Sequence, residues 1–145
     1  MSTILRLCLP LRRSSAGRLR SSVSGLLLAN DVPAGAAGEV LLAADEAFTN
    51  AFMHSGDVAG EVHVHAEIRD SHVLVEISDG GCGFDPDALD VTAPPDPLRA
   101  NGRGLFLIHR LMDEVEVTSR GAGTGTVVRM IKRFRRPSRV VASHR

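Results

Sequence analysis

The sequence predicts a two-layer α/β sandwich of the α+β class, with a mixed, mostly antiparallel sheet carrying helices on one face, and three observations lead there. Apolar residues recur at helical spacing in two early stretches and one late one. They alternate with polar residues in the short runs around those stretches. The resulting order is strand, two helices, two strands, loop, helix, two strands, and no internal repeat interrupts it. A chain of 145 residues with 43% hydrophobic content has room for one domain with its own core.

Residues 3–9 read as an edge strand, with Leu5, Leu7 and Leu9 on one face, Ile4, Arg6 and Cys8 on the other, and Pro10 as its stop. Leu19, Val23, Leu26 and Leu27 give residues 14–28 helical spacing, and Asn30-Asp-Val-Pro33 punctuates the end. A second helix spans residues 36–54 through Val40, Leu41, Ala44, Ala47, Phe48 and Ala51, ending at Ser55-Gly-Asp57. The period then falls to two: Val62, Val64, Ala66 and Ile68, then Val73, Val75 and Ile77, alternate with polar neighbours around a turn at Asp70-Ser71. Asp79 shares the face of Val73, Val75 and Ile77, so it points toward the covered side, where a charge needs a partner. Residues 85–101, with Pro94, Pro95 and Pro97, are too rich in proline for a regular element and read as a loop able to close over a ligand. Leu105, Ile108, Leu111 and Met112 mark a third helix; Val115 and Val117, then residues 126–132, mark two strands joined by a turn at 121–125.

All 17 acidic residues lie between Asp31 and Glu116, whereas five arginines fall in the first 30 residues and six cations in 132–145. Such basic ends fit solvated helices and a tail, and nucleic acid is not an expected partner. No apolar run approaches the roughly 20 residues needed to span a bilayer, and no secretory pattern opens the chain, so a cytoplasmic protein with no membrane partner is expected. Cys8 and Cys82 form no metal cluster in sequence, and neither is assigned a catalytic role. His63, His65 and His72 read as scattered solvated residues, and no structural zinc is expected.

The chemistry concentrates in three places. Asp79-Gly-Gly-Cys-Gly-Phe84 offers a carboxylate able to accept a hydrogen bond from an exocyclic amine such as that of adenine, with Gly81 and Gly83 leaving room for a flat base. The same aspartate also suits an Asx contact capping its own turn. Gly102-Arg-Gly-Leu105 opens the third helix, where free N–H groups and the helix dipole favour phosphate, although a glycine-rich helix start has the same appearance. Arg99 and Arg103 stand near enough to meet phosphate oxygens. The single lysine, Lys132, lies far from any glycine loop, which excludes the Gly-x-x-x-x-Gly-Lys phosphate loop. Glu46 and Asn50, one helical turn apart, present a carboxylate for a hydroxyl proton and an amide oxygen for Mg2+, or else an ordinary helix surface. His54 extends that stripe or simply closes the helix.

Glu46-Ala-Phe-Thr-Asn50-Ala, Asp79-x-Gly-x-Gly-Phe84, the run from Gly102 to Asp113, and Gly125-Thr126 together resemble the boxes of the Bergerat, or GHKL histidine-kinase-like, ATP-binding fold. More narrowly the chain resembles the small bacterial anti-sigma regulatory factors with serine/threonine kinase activity. The resemblance implies an ATP-binding domain over residues 1–132 followed by a basic tail at 133–145. It implies Glu46 as the catalytic carboxylate and Asn50 as the Mg2+ ligand. It also implies ATP contacts from Asp79, Gly81, Gly83, Gly102, Arg103, Gly104, Leu105 and Thr126. The implied partners are a STAS-type anti-anti-sigma protein, which would be phosphorylated, a competing sigma factor, and a second copy of the chain as a homodimer. The alternative is a regulatory module that binds ATP and its partner without phosphorylating it. The short segment 85–101 resembles the small kinases more than the sensor histidine kinases, and a sensor kinase is not expected unless these residues are a fragment of a longer chain.

Overall fold

The computed structural model describes residues 2–54, 60–79, 100–119 and 125–136. Eight elements follow in order: β1 (Ser2–Pro10), α1 (Ser15–Ala29), α2 (Ala34–His54), β2 (Glu61–Arg69), β3 (His72–Asp79), α3 (Ala100–Leu111), β4 (Glu114–Ser119) and β5 (Thr126–Arg133). The strands form one sheet in the order β1-β2-β3-β5-β4, so β1 is an edge strand. All four described pairings are antiparallel, which is how the mostly antiparallel sheet expected from the alternation is realised.

Period-2 alternation gives this sheet one greasy face. Val62, Val64, Ala66 and Ile68 of β2, Val73, Val75 and Ile77 of β3, and Val128 and Met130 of β5 are all buried. Against them pack Leu19, Val23, Leu26 and Leu27 of α1, Val40, Ala43, Ala44, Ala47, Phe48 and Ala51 of α2, and Leu105 and Ile108 of α3. The opposite face carries Glu61, His63 and Arg129, all exposed, and half-buried His65 and Glu67. There Arg69 and His65 draw the Glu67 carboxyl below its ordinary pKa, with the hydrogen bond from Arg69 the larger cause.

The helix ends follow local chemistry. After α1, the N–H of Val32 bonds Leu27 O at 3.1 Å and that of Asp31 bonds Leu28 O at 3.2 Å, the two bonds of a Schellman cap. Asp31 takes the left-handed position at φ 56°, one that aspartate tolerates better than most residues, and Val32 is buried, as is Leu27. Asn30 Nδ2 adds a bond to Leu26 O at 2.8 Å. Helix α2 begins at Ala34, two residues before the expected start, because Pro33 supplies both a helix-compatible φ and the carbonyl that Ala37 N–H bonds at 2.9 Å. Between β2 and β3 the pair Arg69 and His72 closes a two-residue turn, with Asp70 at φ 50°. The segments 55–59, 80–99 and 120–124 lie outside the described residues, as does 137–145; they include the expected end of α2, most of the expected lid and most of the tail. No described helix is long and apolar enough to cross a membrane.

Lys132 ends the helix-side row of β5 and ties three elements together. Its Nζ donates to Glu39 Oε2 of α2 at 2.8 Å and to the terminal carbonyl of α3, Leu111 O, at 3.0 Å. The lysine side chain is 15% exposed and the glutamate 42%, so solvent screens the ion pair more than the bond to the carbonyl. Lys132→Met is expected to destabilise the fold by about 1–3 kcal/mol, since it strips a partner from a helix-terminal carbonyl, whereas Glu39→Gln costs under about 1 kcal/mol. Urea denaturation of both variants checks the ranking.

Candidate functional site

Asp79 is the last residue of β3 and only 6% exposed, continuing the buried row of Val73, Val75 and Ile77 onto the helix-covered side. In the β2 ladder it faces Val62. The β3–β5 register runs to Ser78 opposite Val127, so one further step sets Asp79 beside Thr126. Thr126 starts β5, is 3% exposed, and shares the buried face of Val128 and Met130. Residues paired across an antiparallel ladder point to the same side, so the sheet brings a carboxylate and a hydroxyl together at one end of its covered face.

The second pairing joins two helices. Asn50 of α2 is 7% exposed. A Cβ placed on Gly104 of α3 would lie 2.7 Å from its Oδ1 and 2.8 Å from its Nδ2. Only a glycine lets α3 approach that amide so closely. Leu105 and Ile108, both fully buried, seat α3 on the core beneath the contact. Helix α3 opens at Ala100, two residues before Gly102, so Gly102 falls among the first four N–H groups that a helix start leaves free and Gly104 lies just beyond them. Glu46 is half-buried one turn before Asn50 and already has an interaction partner. Farther along α3, burial lowers the pKa of His109, which favours its neutral form.

Two buried side-chain atoms among the described residues lack any hydrogen-bond partner: Asn50 Nδ2 and Thr126 Oγ1. Leaving such a group unmet typically costs about 1–3 kcal/mol, and native folds seldom tolerate it without a use. Both atoms fall at positions where the family resemblance implies contacts to ligand. A donor aimed from Asn50 suits a phosphate oxygen, with the amide oxygen left for a hard cation, and a hydroxyl beside Asp79 suits the polar edge of a base. The donor chemistry thus fits a nucleotide with Mg2+. Gly81, Gly83 and Arg99 lie outside the described residues, as do the side chains of His54 and Arg103. The contact between Asn50 and Gly104 escapes a linear reading, because a helical glycine looks alike whether it frees N–H groups or admits a neighbour.

An antiparallel sheet with helices on one face, ending in Asp79 and Thr126 and overlaid by an asparagine-bearing helix, defines a nucleotide-binding domain of the histidine-kinase-like kind. The histidine kinase-like ATPase domain family matches residues 9–132, and the chain belongs to that family, with the RsbW-type anti-sigma factor kinases. The serine-protein kinase RsbW of Listeria monocytogenes is 34% identical over 112 residues, covering 71% of this chain and 70% of that protein. Its counterpart in Halalkalibacterium halodurans is 28% identical over 139 residues, covering 91% of this chain and 84% of that one. Among solved structures, the RsbU and RsbW domains of a Mycobacterium tuberculosis protein share the fold at a TM-score of 0.67 and 21% identity, over 93% of this chain and 33% of that one.

Gly104→Ala tests the helix contact directly. Alanine gains about 1 kcal/mol of helix propensity over glycine, but pressing a methyl into a packed amide costs about 1–3 kcal/mol. The expected net change is a loss of stability on urea denaturation. In an Asn50→Ala background the same substitution is expected to stabilise, so the double-mutant cycle returns a coupling above about 0.5 kcal/mol.

Proposed function

We propose that this chain is an ATP- and Mg2+-dependent serine/threonine protein kinase acting as an anti-sigma regulatory factor, whose substrate is a serine or threonine of a STAS-type anti-anti-sigma partner. The observation that carries the reading is the pair of unmet buried polar atoms, Asn50 Nδ2 and Thr126 Oγ1, at two positions where the resemblance implies nucleotide contacts. The RsbW relatives, named as serine-protein kinases, support the choice of phosphoryl acceptor.

In this reading Asp79, held on the covered face by its strand, accepts the adenine amine, and Thr126 sits at the same end of the pocket. Gly81 and Gly83 admit the base; Gly102, Arg103, Gly104 and Leu105 border the phosphates. Mg2+ would be held by Asn50 together with phosphate oxygens, and it supplies neutralisation of the charge that develops as the γ-phosphoryl group moves. Glu46 orients the partner's hydroxyl and takes its proton as the oxygen attacks phosphorus, the bond to the β-phosphate oxygen breaks, and ADP is left. A sigma factor competes for the same regulator, a homodimer is the working form, and the cytoplasm is the setting.

Asp79→Asn replaces a charged acceptor with an amide and is expected to weaken ATP binding by about 1.5–3 kcal/mol, read by calorimetry with Mg2+ present. An unchanged affinity would refute the assignment of the base pocket. Glu46→Ala is expected to keep ATP affinity within about twofold while lowering transfer of radiolabelled phosphate to the STAS-type partner by about 10²–10⁴-fold. If the parent protein binds ATP and partner yet never labels the partner, the chain is a regulatory module that does not phosphorylate.

A further inference from the structure

The open face of the sheet holds a second constellation, one that the nucleotide reading leaves unused. Cys8 of β1 and His63 of β2 are direct partners across the antiparallel ladder, and Glu61 lies two residues before His63 on the same side. All three are exposed. Cys8 Sγ lies 3.2 Å from Glu61 Oε2, and His63 Nε2 lies 4.0 Å from that same oxygen. One ligand atom from each falls within 4.8 Å of the others, and no second trio of this kind occurs among the described residues.

We propose that Cys8, Glu61 and His63 form a zinc-binding site with a fourth position open to water or to an incoming ligand. Bonds of about 2.0–2.3 Å around a tetrahedral zinc ion place its donors roughly 3.3–3.6 Å apart, a spacing that the 3.2 and 4.0 Å separations bracket. Exposed side chains on a fixed ladder close the remaining gap by rotamer adjustment alone. A thiolate, an imidazole and a carboxylate are donors that zinc accepts, whereas Mg2+ demands oxygen, so this site does not draw on the cation of the nucleotide pocket. The two also lie on opposite faces of the sheet.

Among the described residues the site is limited to these three. His65, next along the same face, accepts from Arg6 Nε at 3.5 Å through Nδ1 and meets Glu67 at 3.6 Å through Nε2. Both of its nitrogens are engaged. An expectation drawn from the histidines along the chain misses the trio, since the sulfur comes from another strand. An ion bound here fastens the edge strand β1 to β2 beyond what the ladder provides, which gives the binding a thermal readout independent of any kinase activity.

Cobalt titration of the full chain is the test, because a cobalt–thiolate bond has a charge-transfer absorption of its own. In a Cys82→Ser background, which removes the other thiol, one equivalent of Co2+ is expected to produce that band and Zn2+ to abolish it by displacement. Zinc alone is expected to raise the melting temperature. His63→Gln and Glu61→Gln should each weaken Co2+ binding by more than about tenfold, and Cys8→Ser should remove the band while circular dichroism shows the fold intact. A band that survives Cys8→Ser, a titration that ignores His63→Gln, or no band at all would overturn the site.

Discussion

The pleat of β3 is the constraint on which the rest depends. Val73, Val75, Ile77 and Asp79 occupy alternate positions of one strand, so burying the three aliphatic residues carries the carboxylate into the covered layer with them. A slip of one residue would expose all three and turn Asp79 to solvent, which makes the register costly to change. The same strand orders its neighbours: Val62 opposite Asp79 on one side and, one step past the Ser78–Val127 pair, Thr126 on the other. The hydrophobic effect that assembles the core thereby also aims the polar end of the site.

Above that sheet, the helices solve a different problem. Asn50 is buried by the same face of α2 that buries Ala43 and Ala47, and a layer of alanines lets the helices approach closely enough for Gly104 to meet its amide. Small residues here serve proximity more than flexibility. A larger side chain on α3 would either separate the helices or displace the amide, so the geometry of a polar group is set by the size of an apolar neighbour.

Much of this was legible in one dimension. The 2-to-3.6 changes in period locate every described element, and alternation alone orients Leu5, Leu7 and Leu9 of β1 and Asp79 of β3 correctly. Element ends were less so: α2 starts earlier because Pro33 can serve as a helix start as well as a stop, and α3 opens at Ala100 within a stretch that reads as loop. The pairings that matter most, Asn50 with Gly104 and Cys8 with His63, join residues more than fifty positions apart. They follow from helix crossing and strand order, neither of which has a signature in local spacing. Glu46 and Asn50 were recognisable as a stripe, but the burial of Asn50 depends on α3.

The bridge from Lys132 to Glu39 and Leu111 has a consequence for how the molecule carries its charge. With its only lysine committed to the seam between sheet and helices, the chain displays its outward side-chain positive charge chiefly as guanidinium. Guanidinium does not titrate in water at any pH a folded protein survives, so the basic ends keep their charge through alkaline conditions that would begin to discharge a lysine-rich surface. Reagents directed at lysine, for their part, meet a side-chain amine that is ion-paired and largely covered.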